Sequence, residues 1–413
     1  MFQLTRRLSR SRLSLTLNCG SSSIKFKLLD VDTERVHSAG LVESIGSSSC
    51  RQKIGDTITH KPLSTYSDSM RDVLAAITNM PVVGDSGLYC VGHRVVHGGD
   101  CYVSPVVVDD KVKSVISDLC SLAPLHNPIN LQGINLAQEL IPSHVPHVAV
   151  FDTAFHSTIP RYANLYALPL EISEHYKIKR YGFHGISHKY VSLAAAANLE
   201  IPVSKCNLVV AHLGSGCSAT AVKGGRSVET TMGFTPNEGL IMSTRAGQLD
   251  PGVEGYLCRR MGVSIEEIGE ILSKKSGLLG VSGVSADMRV LLAAADGRGD
   301  YTPEQRARAS LAIEMFVYRL CRHIAALLVS LQAPCHGLVF TGGIGEGSAE
   351  IRKLVLERLR FIGLFLDPVK NAAIGANGGV ITAEDSPLKA LVIPTNEELQ
   401  IAREAKDLLG LLD

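Results

Sequence analysis

Apolar and polar residues alternate through residues 13–28, with one interruption. Leu13, Leu15 and Leu17 alternate with Ser14 and Thr16, and Ile24, Phe26 and Leu28 alternate with Lys25 and Lys27. A period of two predicts two half-buried strands, joined by a polar turn over residues 18–23. Residues 207–225 repeat the plan. An apolar run, Leu208 to Ala211, ends at His212, a turn of small residues follows (Gly214, Ser215, Gly216, Ser218), and the chain returns through Thr220, Ala221 and Val222. Glycine lets a backbone approach an anion closely, and the amides of such a turn can converge on it. The repeated plan therefore predicts a duplicated domain with two phosphate-cradling turns. Two unrelated hairpins would give the same pattern.

Further elements follow from other periods. Residues 67–78 carry apolar positions at helical spacing (Met70, Val73, Leu74, Ile77), and residues 304–331 do so over a longer span, as a long buried helix should. Residues 337–348, GLVFTGGIGEGS, read as an apolar strand, a Gly-Gly turn and then a helix beginning near Glu350, an arrangement that suits close approach to a nucleotide. Residues 229–251 form a long loop-rich segment with a single basic residue, Arg245; such segments in compact domains are usually functional. Residues 276–289 could present Asp287 and Arg289 at a helix start, and residues 391–398, LVIPTNEE, end a last strand with Asn396 and Glu397. A glutamate there could reach a magnesium-bound water or simply favour a helix N-terminus.

Polar residues inside apolar runs mark candidate chemistry. In residues 89–99, YCVGHRVVHGG, a short strand delivers His93, Arg94 and His97 to a Gly-Gly turn. A buried arginine needs an anion, either a structural carboxylate or a ligand carboxylate or phosphate that matches its fork. In VAVFDTAFH an apolar run ends at Asp152, where open α/β sheets place ligands and catalytic groups; a helix N-cap would also use an aspartate there. LAPLHNP offers Leu125 to line a pocket. In YGFHGISH, His184 and His188 stand four apart, but no glutamate follows His184 as a zinc-protease helix requires.

Composition narrows the classes. With 413 residues, 45% hydrophobic and 20% charged, and a net charge of +1, the chain has room for two to three domains and gives no support for nucleic acid or a membrane surface as partner. No apolar run reaches the ~18 residues of a membrane span. The ten cysteines lack zinc-type spacing and read as free thiols in a reduced compartment. Residues 1–12 carry four arginines and no acid, as an Arg/Ser-rich transit peptide would. With no apolar face, they read instead as a disordered extension or the product of an upstream start codon.

Ten motifs in order, LNCGSSSIKF, GHRVVHGG, LAPLHNP, FDTAFH, RYGFHGISH, HLGSG, MGFTP, SGLLGVSG, TGGIGE and IPTNEE, resemble the acetate kinase family, within the fold class of actin and hexokinase. The resemblance implies an α/β protein of two duplicated actin-like, ribonuclease H-like ATPase domains with a cleft between them. They span residues 13–152 with 398–413, and residues 153–397. It implies reversible transfer of the ATP γ-phosphoryl group to acetate, with Mg²⁺ (Mn²⁺ as an alternative) and ATP/ADP as co-substrate, in a cytoplasmic homodimer. By the same resemblance, Asp152, His184 and Arg245 are catalytic, with Asp152 orienting groups and His184 and Arg245 stabilising the transition state. Arg94 binds the substrate carboxylate, and Val96, Leu125, Phe183 and Pro236 form the pocket for its methyl group. Ser21, Ser23 and Lys25, then His212, Gly214, Ser215 and Gly216, contact phosphate. Asp287, Met288 and Arg289 contact the nucleoside, as does the loop Gly342, Gly343, Ile344, Gly345 and Glu346. Asn18 and Glu397 form the metal site.

Three positions depart from the family pattern: Ser215 stands for an asparagine, Gln248 for an aspartate, and Gly347 for an asparagine. TGGIGE is intact, which favours ATP over pyrophosphate as donor. Propionate-preferring relatives tend to carry a smaller residue at the Val96 position, so the resemblance implies acetate as acceptor, with propionate as a slower substrate because a methylene in an apolar pocket is worth only ~1–3 kcal/mol. A propionate kinase, a non-catalytic nucleotide-binding relative and, more weakly, a metal-dependent hydrolase remain as alternatives.

Overall fold

The computed structural model describes residues 11–124 and 126–412, without the side chains of Asp85 and Ser86. The basic segment anticipated at residues 1–12 falls almost entirely, and Leu125 wholly, outside the described residues. The rest divides into two compact units, one ending at Ala154 and resuming at Asn396, the other Phe155–Thr395.

In the first unit, β1 (Leu13–Gly20) and β2 (Ser23–Asp30) form the hairpin that the alternation predicts. The turn is shorter than expected. Only Ser21 and Ser22 lie outside the strands, and Asn18 pairs with Lys25 inside the ladder. Nor is β1 half-buried, since Ser14 and Thr16 are as inaccessible as Leu15. Leu15 and Leu17 pack with Met70 and Leu74 of the helix Tyr66–Thr78. On the opposite face Thr16 and Ile401, from the helix Glu397–Gly410, both lie against Gly92. A sheet covered on both faces loses the polar face that alternation leads one to expect. Buried hydroxyls then bond internally, as Thr16 Oγ1 does to the Lys27 carbonyl (3.1 Å). The sheet continues through β3 (Val36–Glu43), β4 (Arg51–Ile54), β5 (Thr57–His60), β6 (Leu88–Val95), β7 (Val106–Val107) and β8 (His147–Phe151). Among the described residues its order is β5-β4-β3-β2-β1-β6-β8-β7.

The second unit repeats the central part of this plan. Its strands are β9 (Asn207–Leu213), β10 (Cys217–Lys223), β11 (Arg226–Thr230), β12 (Gly337–Thr341), β13 (Gly379–Val380) and β14 (Lys389–Val392), in the order β11-β10-β9-β12-β14-β13. In both sheets the opening hairpin is antiparallel, and its first strand pairs in parallel with a later strand, which pairs in parallel with another. Five consecutive strands, β3-β2-β1-β6-β8 and β11-β10-β9-β12-β14, thus share order and direction. This is the duplicated actin-like α/β architecture. The helix Pro303–Leu331 starts with Pro303 in its first turn and a capping box between Thr302 and Gln305. Its apolar stripe, Ile313, Phe316, Leu320, Ile324, Leu327 and Leu331, is buried. The core under β9 and β12 joins Leu208, Val210 and Val339 to Val191 and Ala195 of the helix Gly185–Asn198.

The helix anticipated near Glu350 begins at Ala349, and one further element precedes it. A short helix, Gly342–Gly347, starts directly at the end of β12, and the helix Ala349–Arg358 follows it. Gly342 has φ +76°, and a Cβ there would lie about 2.9 Å from the Leu213 backbone, so only glycine fits the turn. No helix among the described residues is long and apolar enough to cross a membrane.

Candidate active site

Parallel pairing sets the first cluster. Leu17 on β1 pairs with His93 on β6, and Val95 on β6 pairs with Phe151 on β8. Asn18, Arg94 and Asp152 therefore stand at the carboxyl ends of three adjacent strands. Their side chains link in sequence. Arg94 Nε donates to Asp152 Oδ2 (3.0 Å), Arg94 Nη2 donates to the same oxygen, and Arg94 Nη1 donates to Asn18 Oδ1 (3.2 Å). Asn18 Nδ2 in turn donates to Glu397 Oε2 (3.3 Å). Asp152 is buried and Arg94 nearly so. Burial works against the guanidinium charge, but Asp152 and Glu397 outweigh it and raise the arginine's pKa. Val96, also buried, follows Arg94, and its backbone N–H donates to Asn130 Oδ1 (3.0 Å).

Lys25 points its ammonium at Glu398 (2.8 Å) with a half-exposed side chain, while Ser21 and Ser23 lie at the hairpin turn. Glu398 is a residue that sequence reasoning missed. It is 1% exposed and lies between Lys25 and Lys27 (3.5 Å), which lower its pKa against the effect of burial. Lys27 also donates to Asn396 Oδ1 (2.7 Å), the cap of the helix that begins at Glu397. The alternation that puts both lysines on one face of β2 signalled a shared anionic partner.

The second cluster lies wholly within the other unit. His184 adopts the left-handed conformation (φ 59°) just ahead of the helix Gly185–Asn198. Its ring stacks on His212 at 4.3 Å, and His212 Nδ1 bonds the Ser187 hydroxyl (2.8 Å), which also bonds Thr395 Oγ1 (2.7 Å). A Cβ on Gly216 would lie 3.4 Å from Arg245 Nη1 and 3.4 Å from His184 Nε2. The glycine thus leaves open a space that both groups border. Arg245 donates to the Pro236 carbonyl (3.2 Å) and contacts Met242 Sδ (3.8 Å). Among the described residues no carboxylate pairs with it, and burial lowers its pKa. The glycine turn itself spends one amide internally, Gly214 N–H on the Gly216 carbonyl (3.0 Å), so fewer amides converge than the sequence plan suggests.

The segment that carries Pro236 and Arg245 is tied down by three residues that sequence reasoning did not single out. Arg180 Nη1 donates to the carbonyls of Thr230, Thr231 and Met232 (3.1–3.3 Å), and Nη2 donates to Glu238 (2.9 Å). Tyr166 donates to Glu238 and accepts from Phe234 N–H (2.8 Å).

The other nucleotide candidates are scattered between surface and scaffold. Asp287 caps the helix Met288–Ala295 and pairs with the exposed Arg289 (2.5 Å), while Met288 is buried. Glu346 Oε1 accepts from Thr341 Oγ1 (3.2 Å), Gly342 N–H (2.8 Å) and Thr395 N–H (3.1 Å), so it fastens the ends of two strands. Gly343 and Gly347 have open space where a side chain would be, and Gly345 sits over Phe340. Ile344 heads the turn whose carbonyl accepts from Ser348 N–H.

Matching against known families places these features. The model of the acetokinase family covers residues 13–403. The chain belongs to that family. It is 48% identical over 405 residues to an acetate kinase of Symbiobacterium thermophilum, covering 96% of this chain and 98% of that one. It is 43% identical to an acetate kinase of Clostridium acetobutylicum, covering 97% and 99%. Among solved structures, it superposes on a propionate kinase from Francisella tularensis with a TM-score of 0.88 at 39% identity, covering 95% of this chain and 98% of that chain. On a Porphyromonas gingivalis acetate kinase the TM-score is 0.87 at 35% identity, covering 98% and 100%.

His156 underpins this family member's second cluster. Its Nε2 must donate to the Phe183 carbonyl (3.0 Å), so Nδ1 accepts from Ser227 (2.9 Å) and the ring is neutral. Burial lowers its pKa from 6.5 to about 4. Between those values the unfolded chain binds the proton and the folded chain does not. The stability that neutral His156 contributes is therefore intact above pH 6.5 and is lost as pH falls toward about 4. Urea midpoints across that window should fall with pH, and His156→Gln should flatten the slope; an unchanged slope in the variant would contradict the assignment.

Proposed function

We propose that the protein is an acetate kinase, transferring the γ-phosphoryl group of ATP to acetate to give acetyl phosphate and ADP, reversibly and by direct in-line transfer. One observation carries the reading. In an acetokinase-family chain, a half-buried arginine with only neutral partners, Arg245, shares with His184 the space left open at Gly216. Phosphoryl transfer calls for positioning and charge stabilisation more than for covalent chemistry. Arg245 and His184 supply groups for the equatorial oxygens of the transferring phosphoryl, and the glycine turn supplies close backbone approach. Arg94, held by Asp152 and Asn18, presents its guanidinium to the acetate carboxylate. Acetate is already ionised at pH 7, so Asp152 orients Arg94 rather than taking a proton.

The Glu397 carboxylate, which accepts from Asn18 Nδ2 at 3.3 Å, and the Asn18 amide oxygen, which accepts from Arg94, are oxygen ligands of the kind that suits Mg²⁺, which is usually held by one or two carboxylates with waters and substrate phosphate. When bound there it neutralises phosphate charge. Among the described residues no group of three or more His, Cys, Asp or Glu forms a protein-only metal cage, in keeping with a metal shared with the nucleotide.

The deciding assay measures acyl phosphate formed from acetate, propionate or butyrate with ATP or pyrophosphate, with and without Mg²⁺. Acetate with ATP and Mg²⁺ should give the highest kcat/KM, and absence of acyl phosphate from every pairing would overturn the reading. Asp152→Asn keeps an acceptor for Arg94 but removes the charge. It should lower kcat by about 10²–10³-fold and leave the acetate KM nearly unchanged; near-normal turnover would sink this role. Val96→Ala enlarges the acyl pocket and should raise the propionate-to-acetate ratio of kcat/KM by at least about tenfold. An unchanged ratio would remove Val96 from the pocket.

A further inference from the structure

The Ser218 hydroxyl lies between two imidazoles. Its Oγ is 2.9 Å from His184 Nδ1 and 2.7 Å from His188 Nε2. Ser218 and His188 are both 0% exposed, so neither can turn to bulk water. A hydroxyl has one proton to donate, and counting protons leaves few arrangements. His188 Nδ1 is buried and has no hydrogen-bond partner among the described residues. Placing the His188 proton there would create an orphaned buried N–H, the rarer kind of unpaired group. The proton therefore sits on Nε2 and is donated to Ser218 Oγ. The Ser218 hydroxyl, its acceptor side engaged, then donates to His184 Nδ1. That nitrogen must be unprotonated, so a neutral His184 carries its proton on Nε2. Nε2, with the neighbouring Cε1, is part of the ring edge that a Cβ on Gly216 would contact at 3.4 Å, alongside Arg245 Nη1.

We propose that His188 and Ser218 are positioning residues that hold His184 as the neutral Nε2–H tautomer, so that it presents a hydrogen-bond donor, and not a lone pair, to the anion expected at Gly216. The opposite tautomer would aim a lone pair at phosphate oxygens and repel them. A doubly protonated His184 would leave the buried Ser218 proton without an acceptor. His184 thus acts as a preorganised neutral donor, and Arg245 carries the full charge beside it. The inference rests on the proposed phosphoryl-transfer role of His184 for its purpose, but not for the tautomer itself.

Two readouts test it separately. With histidine-selective ¹⁵N labelling of the intact protein at pH 7.5, and His184→Gln to assign the signals, His184 should show a pyrrole-type Nε2 and a pyridine-type Nδ1 without any ligand. The reverse pattern, or two protonated nitrogens, overturns the proposal whatever the enzyme does. Ser218→Ala should mix the two tautomers and lower kcat for acyl phosphate formation by roughly 10- to 100-fold, with the KM values for ATP and acetate within about threefold of the starting enzyme. Ser218→Thr keeps a hydroxyl and guards against loss of folding. It should restore the Nε2–H tautomer and most of the kcat. Full activity in a folded Ser218→Ala protein, or a KM effect without a kcat effect, refutes the positioning role. A starting protein with the Nε2–H pattern but no acyl phosphate formation would bear out the tautomer and reject the acetate kinase reading.

Discussion

A guanidinium drawn out of water is costly unless its donors are satisfied, and one buried and three half-buried arginines meet that constraint differently. Arg352 is 1% exposed and turns four hydrogen bonds on neutral acceptors: the Gly345, Glu346 and Asn371 carbonyls and the Asn371 side chain. Arg180 combines three carbonyls with Glu238. Arg94 leans on Asp152. Arg245 has one carbonyl and one thioether. The first two are engaged mainly by backbone carbonyls and build scaffold, although Arg180 Nε meets Glu229 only at 3.4 Å. The third is charge-compensated yet keeps part of its fork on the neutral Asn18. The fourth is the least satisfied, and so the one with most to gain from an incoming anion. The backbone around Arg245 is fixed in turn by other cations, Arg352 under the Gly342–Gly347 helix and Arg180 bonded to the Thr230–Met232 carbonyls and Glu238.

Much of the fold was legible from periodicity. The two hairpins, the helix Pro303–Leu331 and the strand before TGGIGE all stand where apolar spacing put them. What failed was local. The polar turn over residues 18–23 shrank to two residues because the ladder extends through Asn18 and Gly20. Polarity alone does not mark where hydrogen-bonded pairing stops. The helix expected near Glu350 begins at Ala349, but a separate short helix, Gly342–Gly347, precedes it, because a positive-φ glycine can turn the chain straight off a strand end.

The site was legible residue by residue but not as networks. Arg94 and Asp152 were each visible as a polar residue in an apolar run, yet their mutual contact depends on the parallel pairing of β6 with β8, which no local pattern encodes. Glu398 hid beside the more obvious Glu397, and Ser218 looked like one more small residue in a glycine-rich turn. Arg180 was passed over because a single arginine before an apolar motif reads as a surface charge. Its three carbonyl contacts come from residues about fifty positions downstream.

The positions that depart from the family pattern fall where the scaffold does not depend on the side chain. Ser215 is exposed, and its structural contribution is a carbonyl that accepts from Ser243 N–H (3.1 Å). Any residue supplies that carbonyl, so a hydroxyl in place of an amide leaves the Arg245 segment anchored and alters only what a ligand would meet at the turn. Gln248 likewise bonds through its backbone, N–H to the Gly239 carbonyl (2.9 Å), while its side chain lines a cavity of about 210 Å³ with Arg180, Glu229, Glu238 and His323. Burial already raises the pKa of Glu229 there. Arg319 Nη1 also donates to the Gln248 carbonyl (3.0 Å), so this backbone contact too is independent of the side chain. Ser215 and Gln248 thus serve the scaffold through their backbones, whereas Asp152 serves it through a side chain that holds Arg94 in place.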